Sequence, residues 1–130
     1  MRRVFKTRHF WRWMRKTELT DPALCAAVAE MQSGLVDADL GGGVFKKRIA
    51  LPGRGKSASA RTLLATNRSD RWFFVFGFEK NHRANVGANE LEALQRYAAD
   101  LLRLGSSELD VQIANEALKE ICHASDDQSA

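Results

Sequence analysis

The 130-residue sequence predicts an α+β fold, in which a small twisted antiparallel sheet of three to four strands is packed by N-terminal and C-terminal helices. Apolar residues in the middle of the chain follow strand patterns separated by short turns, whereas those of both flanks recur every three or four residues. The length and the 45% hydrophobic content suit one globular domain. We place that domain at residues 1–124 and expect residues 125–130 to form a flexible tail.

The N-terminal part of the chain predicts one edge strand and two helices. Val4 to Lys6 is compatible with a strand at the edge of the sheet, and Arg8 to Lys16 carries aromatic and Met side chains at helical spacing. The second helix is predicted from Pro22 to Ser33, because the Thr-Asp-Pro sequence at its start can cap it. We interpret Leu35 to Leu40 as a connector, followed by a flexible joint of three glycines.

Three central strands are predicted at Val44 to Leu51, Ala60 to Ala65 and Trp72 to Phe78. The first alternates apolar and cationic residues, so one of its faces must carry positive charge. The third is almost entirely apolar, which indicates a central strand that is buried on both faces. Because the connections are short, an antiparallel meander is the simplest topology.

The C-terminal part predicts helices. Ala88 to Leu104 has an apolar inner face, and Gly105 provides its stop signal. Ser106 or Ser107 can cap a last element. Apolar residues of that element recur every four positions, as is typical of a helix: Leu109, Ile113, Ala117 and Ile121.

The cysteines and the hydropathy bear on the cellular compartment. Cys25 and Cys122 have no metal-ligand spacing, so we expect no zinc site, and we interpret them as two buried thiols rather than a disulfide. No window reaches the roughly 18 apolar residues of a membrane span. No apolar core follows the basic N-terminus, as it would in a signal peptide. We therefore expect a cytoplasmic protein without membrane association.

Positive charge is concentrated in the segment from Gly41 to Ser69. This segment contains seven Lys or Arg and no Asp or Glu, within a chain of formal net charge +4. Such a local excess of cations favours a polyanionic partner, for which nucleic acid is the usual candidate.

The sequence GRGKS at Gly53 to Ser57 has the ending of a phosphate-binding P-loop. Ala50 stands where the first Gly of that motif is required, and a strand rather than a helix follows. These departures exclude the nucleotide-hydrolase interpretation. We predict instead a hairpin tip from which Arg54 and Lys56 can reach a nucleic-acid backbone.

Two further groups of residues are candidates for chemistry. Arg48 and Arg61 lie on neighbouring predicted strands, where an antiparallel pair can bring both guanidinium groups to one face and clamp a phosphate. A surface ion pair is the structural alternative for Arg61 taken alone. Lys80, Asn81 and His82 follow the third strand directly, where functional side chains are often displayed. An exposed loop histidine is the alternative for His82, and the other two histidines are interpreted as structural.

The stretch GGGVFKKRIALPGRGKSASARTLLA, followed by RWFFVFGFEKN, resembles the RelE-type family of bacterial toxin–antitoxin modules. Its HigB-like branch shows a similar ordered series of G-G-x-x-K-x-R, G-[KR]-G-K, R and K-N. The resemblance covers roughly Val4 to Leu104. It implies a small twisted sheet packed by helices, binding at the ribosomal A site, cleavage of mRNA there, and inhibition by a cognate antitoxin within a toxin–antitoxin hetero-oligomer.

The resemblance also implies roles for residues of this chain. Arg48 and Arg61 would hold the scissile phosphate, and Lys80 or His82 would protonate the departing 5′-oxygen. One of the lysines in a further set of residues could act as the base. This set would position RNA and consists of Lys46, Lys47, Arg54, Lys56 and Asn81. Fixed cations would supply the charge, so neither a metal nor a cofactor is expected. Members of the family often use a Tyr near the C-terminus, whereas the single Tyr97 lies within a predicted helix, so the proton-transfer assignment stays open.

Two alternatives remain at this stage. One is a ParE-like inhibitor of DNA gyrase, which shares the fold but does not need the catalytic spacing. The other is a basic module that binds nucleic acid or a partner protein without cleaving anything, which the charge distribution fits equally well.

Overall fold

The computed structural model describes residues 2–51 and 59–123, so the predicted tail at residues 125–130 lies outside the described residues. The elements, in chain order, are β1 (Arg3–Thr7), α1 (Arg8–Met14), α2 (Asp21–Gln32), β2 (Ala38–Gly41), β3 (Val44–Ala50), β4 (Ser59–Thr66), β5 (Arg71–Glu79), α3 (Ala88–Leu102), α4 (Ser106–Ala114) and β6 (Leu118–Ile121). Within these two ranges, no helix combines the length and the hydrophobicity that crossing a membrane requires.

The strands form one mixed sheet in the order β2-β3-β4-β5-β1-β6. β2 to β5 pair as antiparallel neighbours, whereas β1 runs parallel to β5 and antiparallel to β6. The fold is consistent with the predicted α+β class, but the sheet has six strands instead of three to four and is not wholly antiparallel. β1 is not an edge strand, because β6 returns from the far end of the chain and pairs with its free side.

The glycine-rich segment before β3 is a tight hairpin, where we predicted a connector and a flexible joint. β2 pairs with β3 in the register Ala38 to Lys46. Gly42 and Gly43, which join the two strands, have φ angles of 63° and 84°. A two-residue hairpin loop with two positive φ angles matches the twist of the flanking strands and favours Gly at both positions.

The C-terminal segment also differs from its prediction. α4 ends at Ala114, and Glu116 adopts a φ of 61°, which turns the chain back into the strand β6. Leu118 and Ile121 are both buried, one in the apolar cluster on each side of the sheet. The spacing of four residues predicted a longer helix, but pairing with β1 and burial on both faces determine a strand here.

Helices cover both faces of the sheet. α1 and α2 pack on one face, over a cluster that includes Phe10, Leu24, Met31, Trp72 and Phe74. α3 and α4 pack on the opposite face, over a cluster that includes Phe5, Leu63, Phe73, Ala98 and Leu109. The near-continuous apolar sequence of β5 is explained by this arrangement, because its alternate side chains enter both clusters.

A disulfide joins Cys25 of α2 to Cys122, the residue after β6. The Cα atoms are 5.4 Å apart although the two residues are separated by 97 positions in the sequence. The prediction of two free buried thiols was therefore wrong. Sequence spacing could not show the pairing, because only the return of β6 to the β1 side of the sheet brings the two residues together.

Candidate functional site

A cationic surface lies on the α3 side of the sheet, beyond the part that α3 covers. α3 packs over Val44 of β3 and over Leu63 of β4. Side chains alternate between the two faces along a strand, so Lys46 and Arg48 lie on the same face as Val44. For the same reason, Arg61 lies on the same face as Leu63. We call this surface the basic face and define it by Lys46, Arg48, Arg61, Phe76 and Phe78.

Strand register sets the geometry of the basic face. Arg48 and Arg61 are direct register partners across the antiparallel pair, and Arg61 is the register partner of Phe78 on its other side. Directly opposed side chains of an antiparallel pair emerge on the same face and lie close together. The result is an Arg-Arg-Phe row that crosses three strands.

The two arginines differ in their local partners. The Arg48 side chain is 60% exposed, and its Nε lies 3.7 Å from Oδ1 of Asp37. Arg61 is half-buried and donates a hydrogen bond to the Ser59 hydroxyl, which carries no charge. Like charges that face each other across two strands destabilise a sheet. A bound anion would remove this repulsion.

The turn after β5 brings three more candidate residues to the same end of the sheet. The Lys80 N–H lies 3.5 Å from the Ser59 carbonyl oxygen, and the His82 N–H donates to the Glu79 carbonyl at 3.0 Å. Lys80, Asn81 and His82 are all exposed. Because Ser59 is two residues from Arg61, these side chains border the basic face.

The lysines predicted to contact RNA fall into different places. Lys46 is half-buried on the basic face, and within the described ranges it forms no ion pair. Lys47 lies on the other face, 7% exposed, where its Nζ is 2.9 Å from Oε1 of Glu30 and 3.0 Å from the Leu35 carbonyl oxygen. Lys47 therefore joins β3 to α2, and we leave it out of the proposed interface.

Arg54 and Lys56, the cations of the predicted hairpin tip, lie outside the described residues. The segment that contains them connects Leu51, the residue after β3, to Ser59, the first residue of β4. Their predicted role in positioning RNA therefore remains a prediction.

An aromatic cluster at the other side of the basic face was not anticipated from the sequence. The His9 ring stacks on Phe76 with centroids 5.5 Å apart and planes at 6°. The Arg83 guanidinium lies 5.7 Å from the Phe76 centroid and 5.6 Å from that of Phe78. The sequence signal for His9 was its residue type alone, because its partner lies on a strand far along the chain.

Arg83 is held in this position by Glu90. The two side chains form an ion pair, and Glu90 also accepts a hydrogen bond from the Gly87 N–H at 2.8 Å, which caps the start of α3. The Arg83 hydrogen bonds and then that of Gly87 lower the pKa of Glu90, and Glu90 in turn raises the pKa of Arg83. The loop between β5 and α3 is thus fixed against the aromatic side chains of β5.

Tyr97 lies nearer to the site than its position within a helix suggested. It is 39% exposed and lines a cavity of about 310 Å³ together with His9, Phe76 and Leu94. Burial raises its pKa, so the phenol stays protonated near neutral pH. A neutral phenol at this position can donate a hydrogen bond.

The model of the family described as "RelE toxin of RelE / RelB toxin-antitoxin system" matches residues 2–121. A search of curated proteins gave no significant match.

Proposed function

Because the chain belongs to the RelE family of toxins of toxin–antitoxin systems, we propose that it is a ribosome-dependent mRNA endonuclease. In this proposal it is a HigB-like member of the family, acts in the cytoplasm, binds mRNA at the ribosomal A site, and is inhibited by its cognate antitoxin. Membership of the family supports a toxin with an antitoxin partner. The ribosome, the mRNA and the chemistry are our proposal.

The observation that carries the proposal is the opposition of Arg48 and Arg61 on neighbouring strands. Two guanidinium groups on one face can each donate paired hydrogen bonds to phosphate oxygens. The 2′-hydroxyl attacks the adjacent phosphorus as its proton passes to a basic side chain of the site, and a phosphorane with two negative charges forms. Fixed cations stabilise that state more than the ground state. The 5′-oxygen then departs with a proton and leaves a 2′,3′-cyclic phosphate.

The remaining roles follow from position. Lys80 and His82 border the basic face in the turn after β5, and either could protonate the departing 5′-oxygen. Lys46 and Asn81 would bind the RNA backbone on both sides of the arginine pair. Phe76 and its stacked partner His9 offer a surface on which a nucleobase could stack.

The experiment is primer extension on mRNA from a reconstituted translation reaction that contains the purified chain. The wild type should produce new 5′ ends within codons, only when ribosomes are present. Arg61→Ala should reduce the cleavage rate by about 10²- to 10³-fold, as is typical when one group that stabilises transition-state charge is removed. Arg61→Lys, which keeps the charge but loses the fork, should have an intermediate rate.

The matched control is Arg96→Ala on α3. Arg96 is 78% exposed and pairs with Glu92, so its removal changes the net charge equally without touching the basic face. Circular dichroism would verify that each variant is folded. Intact mRNA with normal protein synthesis by a folded wild type would refute the endonuclease proposal, and gyrase supercoiling would then be assayed. Equal loss of cleavage in both variants would refute the role of Arg61.

A further inference from the structure

A second group of cations lies at the opposite edge of the sheet, where α1 meets β6. Arg8, Arg12 and Arg15 occupy positions i, i+4 and i+7 and so lie on one side of α1, with Arg15 as the residue that caps its C-terminus. We call them the arginine row. At a rise of about 1.5 Å per residue, the row extends roughly 10 Å along the helix axis. All three residues are exposed.

The arginine row has little carboxylate compensation. Arg8 donates from Nε to the Glu116 carbonyl at 3.0 Å and from Nη2 to the Asn115 carbonyl at 2.9 Å, so its partners are neutral backbone groups at the end of α4. In the part of the chain that the structure describes, Arg12 and Arg15 form no salt bridge. Their charge is therefore available to a ligand.

A groove runs beside the row. It consists of two adjoining cavities of about 360 and 390 Å³ that share Trp11 and Glu116. The Trp11 ring has the Arg15 guanidinium 5.9 Å and the Lys119 ammonium 4.7 Å from its centroid. Lys119 thus adds a fourth cation from β6.

The acids that line the groove do not cancel these charges. Glu120 is occupied by Arg3, whose Nε and Nη2 each lie 2.9 Å from one of its carboxylate oxygens. Glu116 is the remaining carboxylate of the groove lining. Four cations against one uncommitted carboxylate leave the groove positive.

We propose that this groove binds the phosphate backbone of single-stranded RNA and forms a second RNA-binding surface, separate from the basic face. Lys119 on β6 lies four strand spacings from Arg48 on β3 and three from Arg61 on β4, so roughly 14–19 Å of sheet separates it from the arginine pair of the basic face. Arginine forks suit phosphate groups better than isolated lysines do. A single strand suits the groove better than a duplex, because its unstacked bases can stack on an aromatic side chain, and Trp11 lines both cavities. The choice of RNA as the polyanion rests on the proposed function, whereas the charge of the groove does not.

A membrane surface fits the groove less well. The apolar side of α1 is formed by Phe10 and Met14, and both are buried in the core of the protein. An interfacial membrane helix would need an exposed apolar side to insert into lipid. An acidic segment of a protein partner has the required charge, and the experiment therefore includes a polyglutamate arm.

The experiment measures binding of a labelled 2′-O-methyl RNA strand by fluorescence anisotropy across a salt series. This strand cannot be cleaved, because its 2′-oxygen is blocked, so binding is measured independently of the proposed activity. Arg12→Gln/Arg15→Gln should lower the magnitude of the salt slope by about 1.4, the expected effect of losing two phosphate contacts to a single strand. Lys119→Gln should lower it by about half as much.

The matched control is Arg96→Gln/Arg103→Gln, on α3 and at the residue that caps its C-terminus. These side chains are 78% and 73% exposed, and the change in net charge is the same. Its salt slope should stay close to that of the wild type. Equal losses in the two double variants would overturn the proposal, because net charge alone would then explain the binding. The proposal would also be overturned, in favour of an acidic protein partner, if polyglutamate bound as tightly as the RNA strand and depended equally on Arg12 and Arg15. If the wild type binds RNA through the row but cleaves no mRNA, the groove is supported and the proposed function fails.

Discussion

Reduction of the Cys25–Cys122 disulfide should destabilise the protein strongly. The bond closes a loop over a sequence separation of 97 residues. For a loop of this length, the chain-entropy estimate of the stabilisation is about 4.7 kcal/mol. Residual structure in the unfolded chain reduces the effect, and we expect a loss of about 2–4 kcal/mol in the free energy of unfolding. At roughly 4 °C per kcal/mol for a domain of this size, the melting temperature should fall by about 8–16 °C.

Urea unfolding of the wild type with and without dithiothreitol measures this loss directly. The m-value should rise on reduction, because the unfolded chain without a cross-link exposes more surface. Cys25→Ala/Cys122→Ala is the control, since its unfolding should not respond to dithiothreitol. Amide exchange should locate the effect in β6, which pairs with a single strand, β1, and lies next to Cys122.

Two results would refute this reasoning. One is the titration of two free thiols in the unfolded, unreduced wild type, which would show that the bond does not form. The other is an unchanged urea midpoint when an intact bond is reduced. A toxin that acts in the reducing cytoplasm would spend much of its time with the bond open, so the measurement also bears on the proposed localisation.

Three further predictions concern stability. Gly77→Ala should lower the free energy of unfolding by about 1–3 kcal/mol, because the added Cβ would lie 2.3 Å from the Trp13 ring. In thermal unfolding, this loss should largely vanish when Trp13 is replaced by Leu. Additive losses from the two substitutions would contradict the clash. Lys47→Met should cost about 1–3 kcal/mol by leaving a backbone carbonyl of the α2–β2 connection without its donor. Its RNA affinity should stay near that of the wild type, and a large loss of affinity would place Lys47 in the interface after all. Arg83 lowers the folded-state pKa of Glu90. The Glu90 carboxylate therefore stabilises the start of α3 fully above the ordinary glutamate pKa, and this stabilisation is lost as the pH falls through the lowered pKa. Amide exchange at the first turn of α3 should therefore accelerate in acid, and Glu90→Gln should flatten that response.

The sequence predicted well those elements whose signals are local. The helix predicted from Pro22 to Ser33 is observed at Asp21–Gln32, and the helix predicted from Ala88 to Leu104 at Ala88–Leu102. The strand predicted at Trp72 to Phe78 is observed at Arg71–Glu79. Capping residues and the repeat of apolar side chains act within one or two turns or strand lengths, so a single sequence contains them.

Strands that depend on a distant partner could not be assigned in this way. β6 has four residues, and its apolar spacing fits a helix equally well until β1 is present to pair with it. The sequence predicts β1 at the edge of the sheet, because nothing in the β1 segment shows that β6 pairs with its other side. The same limit applies to the disulfide, which is formed by the residues at the two ends of a long loop.

The candidate site shows the same division. The alternation of β3 by itself determined that Lys46 and Lys47 point to opposite faces. Only the tertiary structure decided which face α2 covers, and it thereby made Lys47 a buried partner of Glu30 and left Lys46 on the basic face. The stacking of His9 on Phe76 likewise depends on the place where α1 meets β5. Local periodicity assigns a side chain to a face, whereas its burial and partners depend on elements that are distant in sequence.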